Sequence, residues 1–469
     1  MNSGQRKWAV YWLLIASLFF YGWWNPKYLS LIGVSVVINY LLGILLYQQK
    51  QWSTSIRKSV LTIGLVFNLG LLFYYKYANF FISISGSFIE SSFTLGNTIL
   101  PLGISFFTFQ QIAFLVDIFR GQKCSNFPNY ALFVTFFPQL IAGPIVHYQE
   151  LTSQFANSVI HKFNIKKFMI GITIFFVGLF KKLFIADRLA EYANPLFDRA
   201  SNSLDITFID SWIGVLAYTL QLYFDFSGYC DMALGLGAML QINLPINFNS
   251  PYKANSIQDF WRRWHITLSN FLRDYLYIPL GGSRSGAIHC YKNLMITMLL
   301  GGMWHGAGWT FIFWGGIHGG LLIIHRIWHQ WTKNCLWVTR SWYNLTSILL
   351  TFTCVAIAWV FFRANDIESS LRILSSMLEF NTWRIKSDIL GYSETIIALF
   401  IIGIMLLFVW FFPNVQEWLG RYSLFGVQNT KQKIWQWQPN SFWAFFMGVI
   451  TVLSIFSMSR TSPFLYFEF

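Results

Sequence analysis

Long apolar runs separated by short polar breaks fill the chain from end to end. Runs of seventeen to twenty-five mainly apolar residues occupy 8–24, 28–48, 59–81, 99–118, 168–186, 207–224, 307–330, 342–362, 394–412 and 440–458, each close to the ~20 residues a helix needs to cross a bilayer. Lipid offers backbone groups no hydrogen-bond partners, so the runs predict helices, and short alternating strands of the barrel type are not apparent. The pattern predicts an all-α, polytopic integral membrane protein with about eleven transmembrane helices. No fixed-period repeat and no soluble stretch long enough to fold alone interrupts it, so residues 1–469 read as a single membrane domain.

Basic residues recur at every second break, at Arg6 and Lys7, at Lys50, Arg57 and Lys58, and at Arg120 and Lys123, which assigns those loops to the cytoplasm. The loop 82–98 carries Glu90 and no Lys or Arg, and 187–210 carries Asp187, Glu191, Asp198, Asp205 and Asp210 with two Arg, so both fit the opposite face. Phe133–Tyr148 lies between two basic loops, Arg120–Lys123 and His161–Lys167, and contains Pro138 and Gly143-Pro144, so it reads as re-entrant. The one long polar interruption, 241–292, with Lys253, Arg262, Arg263, Arg273, Arg284 and Lys292, is expected to be cytoplasmic. Arg6 and Lys7 before an apolar run imitate a signal peptide, but bulky aromatics stand where a small-residue cleavage site should be, so 8–24 reads as an uncleaved first span.

Composition sharpens the class. Of 469 residues 55% are hydrophobic and 11% charged, against about 25% charged in a soluble protein, which excludes a cytosolic enzyme. The net charge of +14 fits cytoplasmic loops better than nucleic-acid binding; membrane lipids, and no nucleic acid, are the expected surroundings. The five cysteines, Cys124, Cys230, Cys290, Cys335 and Cys354, are scattered and form no C-x-x-C pair, so neither a disulfide framework nor structural zinc is indicated. No metal is expected, because the histidines show no metal-ligand spacing, and there is no Walker loop, dinucleotide glycine motif or G-x-S-x-G elbow.

The candidate chemistry is histidine chemistry. His305 sits in Gly301-Gly302-Met303-Trp304-His305-Gly306-Ala307. Thirteen helical residues beyond Lys292 climb roughly 20 Å, past the middle of a core about 30 Å thick, where a polar side chain is costly; a histidine bonded to a neighbouring helix is the plainer reading. His265 follows Trp261-Arg262-Arg263-Trp264, whose arginines suit phosphates, although an interfacial anchor fits equally. Asp259 and Asp274 are expected to pair with Arg262, Arg263 or Arg273. His318 is thirteen residues past His305, about 220° around and roughly 20 Å along one straight helix, so the two form no dyad without a break, which Gly315-Gly316 is placed to supply. Asp225, among aromatics in Tyr223–Tyr229, is either the partner of a buried cation or a polar pore residue.

Several ordered motifs resemble the membrane-bound O-acyltransferase family, nearest its alginate O-acetyltransferase membrane subunits. They are Asp259-Phe260-Trp261-Arg262-Arg263-Trp264-His265-Ile266-Thr267-Leu268-Ser269, then Leu272–Gly282, Met303-Trp304-His305-Gly306 and Trp314-Gly315-Gly316-Ile317-His318-Gly319, with Pro101–Phe106, Phe137–Pro144 and Tyr223–Tyr229. The similarity covers most of 10–365 and weakens after about 370; relatives usually carry one further apolar helix ahead of the Trp8–Trp24 equivalent. The resemblance implies a ring of helices around a thin core with funnels from both faces meeting near His305, His305 as the catalytic histidine, and His265 as the second polar position on the cytoplasmic side. Trp304, Arg262, Arg263, Arg273, Asn270, Asp225 and His318 are the accompanying substrate-binding candidates. It further implies residence in the bacterial cytoplasmic (inner) membrane, no bound cofactor, and acetyl-CoA as cytoplasmic acyl donor. The acetyl group would pass to an extracytoplasmic O-acetyltransferase-like partner that modifies a polysaccharide such as alginate.

On this reading His305 is a general base, since an imidazole near its ordinary pKa of about 6.5 is neutral at physiological pH. His265, with Asn270 or Arg273, orients the donor, and the basic 253–292 surface attracts its phosphates. The rivals are a transporter or flippase for a sugar- or lipid-linked substrate, for which no inverted repeat is found, and an acyltransferase acting on lipid, protein, peptidoglycan or teichoic acid.

Overall fold

A computed structural model of the chain describes residues 3–89, 99–141, 143–156, 163–284, 286–382, 387–422, 424, 436–458 and 465. Each of the ten apolar runs contains a helix, and the described residues hold no strand beyond one isolated bridge between Ser387 and Gly391. Six helices are long and apolar enough to cross a membrane: Lys27–Gln48, Thr54–Gly86, Ile165–Ser201, Trp309–Thr332, Ser341–Arg363 and Gly391–Phe411. Trp8–Trp24, Ile104–Phe119 and Ser441–Ser457 are apolar but shorter. The protein is a multi-pass membrane protein, though the expected eleven crossings are not reached by this measure. Part of the shortfall is physical: Phe208–Met239 and Ala287–His305 have the length but carry Asp210, Asp225 and Asp231 or Asn293 and His305, which lower their hydropathy. Of the residues that set the orientation, Glu90, His161 and the side chains of Arg6 and Lys7 lie outside the described residues.

The chain divides into two compact units, Met1–Ile172 with Ala233–Pro245, and Thr173–Met232 with Ile246–Phe469. In the first, Lys27–Gln48, Thr54–Leu72 and Ile104–Phe119 pack on one another around buried amides. Asn39 and Asn68 exchange side-chain hydrogen bonds of 3.2 and 2.6 Å, Gln111 donates to Ser35 Oγ at 3.0 Å, and Tyr130 donates to Gln111 at 3.3 Å. The Phe133–Tyr148 stretch is broken as Pro138 and Pro144 require: a helix ends at Thr135, Phe137–Leu140 forms a single turn, and the next helix starts at Tyr148. Ala142 within it is not among the described residues.

In the second unit, the helix through Thr173–Ser201 lies against Phe208–Met232. A Cβ on Gly178 would come within 2.4 Å of the Gly228 carbonyl oxygen, so the backbones touch where neither residue has a side chain. The chain next to this contact forms a π turn, Lys181–Ala186. Lys181 meets Asp231 at 2.6 Å, and Lys182 meets both Asp225 and Asp187 at 2.7 Å. Two ammonium groups inside an apolar helix are thereby neutralised.

Candidate active site

The site is built on a helical hairpin. Ala287–His305 ends at His305, residues 306–308 turn, and Trp309–Thr332 runs back along it. The close approach depends on glycine: a Cβ on Gly302 would lie 2.2 Å from the Phe311 carbonyl oxygen, and one on Gly315 2.3 Å from that of Met298. The break is therefore at Gly306–Gly308 and not at Gly315-Gly316, which stays helical and serves close packing. This corrects the straight-helix separation of His305 and His318. The reversal brings both rings against Trp314, at 5.1 and 4.8 Å between centroids.

His305 is the last residue of its helix and is 5% exposed. The unbroken helix from Lys292 supports the expected climb. Trp304, Trp314 and Phe362 surround the imidazole at 4.9, 5.1 and 5.1 Å, all close to edge-on. Ser341–Arg363 supplies Phe362 and Trp359, and Trp359 stacks on Trp314 at 5.6 Å. His318 is fully buried among Phe260, Trp261, Trp314 and Trp359. Neither of its ring nitrogens has a hydrogen-bond partner among the described residues, nor has Nε1 of Trp261 or Trp314.

His265 joins the helices Ile257–Arg263 and Ile266–Leu272, outside the segments apolar enough to cross a bilayer. Its backbone is left-handed, φ 42° and ψ 54°, a conformation that costs a non-glycine residue about 1–3 kcal/mol. Asn247 holds it there. The Asn247 carbonyl accepts from the Ile266 N–H at 3.0 Å, and its Oδ1 accepts from the Thr267 N–H and hydroxyl at 3.2 and 2.7 Å. That same Oδ1 lies 3.3 Å from His265 Nδ1, so Nδ1 carries the proton and the lone pair is on Nε2. His265 is 0% exposed, between Phe226 at 4.8 Å and Trp304 at 6.2 Å, so its ring packs inside the second unit. Burial pushes its pKa down to about 3, leaving the ring neutral. Trp304 thus touches both histidines.

The other candidates separate. Arg263 pairs with Asp259 at 2.9 Å, and Arg273 grips Asp274 through two bonds of 2.7 and 2.9 Å, the structural pairing the sequence suggests. Arg262 is exposed and enters no ion pair among the described residues. Asn270 is half-buried on Ile266–Leu272, and its carbonyl accepts the Arg273 N–H. Asp225 proves to be the partner of a buried cation: Lys182 holds one oxygen and the Leu465 N–H donates to the other at 3.3 Å. No group of three or more His, Cys, Asp or Glu among the described residues could hold a metal.

Sequence reasoning overlooked the Trp261–Trp314–Trp359 wall, Asn247, and the two lysines that answer Asp225 and Asp231. Lys181-Lys182 in the middle of an apolar run was a signal for buried carboxylates. Asn247 had none, because its role is set by a backbone conformation eighteen residues away.

An all-helical, multi-pass membrane fold with histidines sealed in an aromatic cage defines the class, and comparison places it. The family model of the membrane-bound O-acyltransferases matches residues 18–364, and the chain belongs to that family: it is an acyltransferase. It is 46% identical over 396 residues to a peptidoglycan O-acetyltransferase of Helicobacter pylori, covering 79% of this chain and 74% of the relative. It is 43% identical over 382 residues to a Pseudomonas aeruginosa protein named "Probable alginate O-acetylase AlgI", covering 80% and 70%. A teichoic acid D-alanyltransferase of Bacillus subtilis is more distant, 27% identical over 280 residues, covering 57% and 70%.

Proposed function

We propose that this chain takes acetyl groups from acetyl-CoA on the cytoplasmic side of the bacterial cytoplasmic (inner) membrane. It passes them across for O-acetylation of an envelope polysaccharide, with an extracytoplasmic O-acetyltransferase-like partner completing the transfer. The observation that carries the reading is His305, sealed by Trp304, Trp314 and Phe362 at the end of an unbroken helix. Acetyl is preferred to D-alanyl because the relatives at 46% and 43% identity are O-acetyl enzymes and the D-alanyltransferase stands at 27%. Peptidoglycan and alginate are both polymers of the class the acceptor belongs to, and a transporter reading has no counterpart among these relatives.

Neutral His305 removes the proton of an acceptor hydroxyl as that oxygen attacks the thioester carbonyl. The tetrahedral centre collapses, the C–S bond breaks, and the thiolate leaves with a proton returned from the imidazolium. The aromatic wall excludes water that would otherwise hydrolyse the thioester. His265, neutral and fixed by Asn247, positions Trp304 against the reacting group, and His318, against Trp261 and Trp314, lines the donor's approach.

The test is transfer of radiolabel from acetyl-CoA added to the cytoplasmic side of sealed vesicles, wild type against His305→Ala at equal abundance with the O-acetyltransferase-like partner supplied. Label reaching the lumenal face only with His305 present is the expected result. Wild-type transfer by His305→Ala would sink the mechanism, and no transfer by either would sink the donor assignment.

A further inference from the structure

The Trp309–Thr332 helix carries a row of histidines of which the proposed mechanism uses only the first. His325 and His329 follow His318 by seven and eleven residues, which returns both to within about 20° of its face, roughly 10 and 16 Å further along the axis. That face is the one Ile257–Arg263 covers: Trp261 lies 5.1 Å from His318 and 5.8 Å from Trp314. The row passes from buried His318 to half-buried His325 and exposed His329.

At its outer end a guanidinium and two imidazoles, all hydrogen-bond donors, collect. The His325 and His329 rings lie 6.1 Å apart and nearly parallel, at 14°, and Arg262 follows Trp261 on the short helix that covers this face. None of the three enters an ion pair with a carboxylate among the described residues, whereas Arg263 and Arg273 each do. Two histidines one turn apart would suit a divalent cation, but no third ligand is grouped with them among the described residues. A doubly charged oxyanion answers all three groups.

We propose that Arg262, His325 and His329 form a binding site for a phosphate group at the outer end of the histidine row. Phosphates of a coenzyme A thioester and the headgroup of an anionic lipid offer the same chemistry. Assigning the site to the donor rests on the acetyl-CoA reading: from Trp314 to His325 is about 16 Å of helix, a span that an extended pantetheine arm bridges with its thioester at His305.

The test is equilibrium binding of radiolabelled pyrophosphate to the full chain in phosphatidylcholine nanodiscs. Saturable binding should weaken about tenfold in Arg262→Gln and in His325→Asn/His329→Asn, the loss of one charge-assisted hydrogen bond or more, and largely survive in Arg262→Lys. Displacement by coenzyme A that those variants blunt assigns the site to the donor. Displacement by phosphatidylglycerol in the discs, and not by coenzyme A, keeps the anion site but overturns the donor assignment. Absence of saturable pyrophosphate binding, or binding unchanged in Arg262→Gln, overturns the proposal. The readout needs no acetyl transfer, so its failure and that of the vesicle assay are separate results.

Discussion

Two regions of this protein bury polar side chains on opposite terms. The Asn39–Asn68 pair with Ser35, Gln111 and Tyr130, in the first unit, answers its members within the protein: the amides bond each other, the hydroxyls and nearby carbonyls. The aromatic cage of the second unit does the reverse, with both nitrogens of His318 and Nε1 of Trp261 and Trp314 lacking partners among the described residues. A buried group left unanswered costs about 1–3 kcal/mol. Answered polar groups between helices hold helices together, whereas those of the cage beside His305 add no such bond among the described residues.

The comparison can be broken most severely at His305, where Ala should reduce acetyl transfer by roughly 10²–10⁴, the usual share of a general base, while the detergent-solubilised protein keeps its melting temperature. A large loss of thermal stability would mean the ring is packing. Next comes Lys182→Met, which removes the answer to two buried carboxylates, Asp187 and Asp225. Breaking one side of such a cluster costs about 3–5 kcal/mol, so folded protein should become scarce. Because this cluster sits in the same unit as the cage, the loss would show that being answered, and not the unit, decides the role.

Smaller changes should give opposite signs in the two regions. Asn39→Leu strands Asn68 and should cost about 1–2 kcal/mol in the melting curve, with transfer per folded molecule unchanged. His318→Phe keeps the ring volume and removes two unanswered nitrogens, so it should stabilise by about 1 kcal/mol while transfer falls about tenfold; His318→Asn should recover part of it. If His318→Phe melts lower and transfers normally, the cage is only a core.

How far these regions could be read beforehand follows from the range of their interactions. The length of the apolar runs alone located ten helices, and local charge spacing anticipated Arg263 with Asp259 and Arg273 with Asp274. The motifs around His265 and His305 singled out two histidines that both lie against Trp304. The hairpin turn was misplaced because two adjacent glycines read as a hinge, whereas Gly315 is needed for contact with the Met298 backbone. Lys182 with Asp225 and Trp261 with His318 are each separated by more than forty residues, and nothing local in a single sequence specifies such partners.

The finest distinction concerns the two histidines that touch Trp304, and it is read by pH. The folded His265 pKa is depressed to about 3, against roughly 6.5 in an unfolded chain. Between those values the unfolded state binds a proton that the folded state refuses, so stability rises with pH through this window and is complete only above about 6.5. Acidifying from pH 7.5 to 6 should therefore cost wild type a little under about 1 kcal/mol from this group. His265→Asn removes the titration and tolerates the left-handed backbone, so its melting temperature should fall less over the same interval. Equal falls would mean that His265 takes up its proton in the folded protein, and that the seal formed by Phe226, Trp304 and Asn247 is open to water.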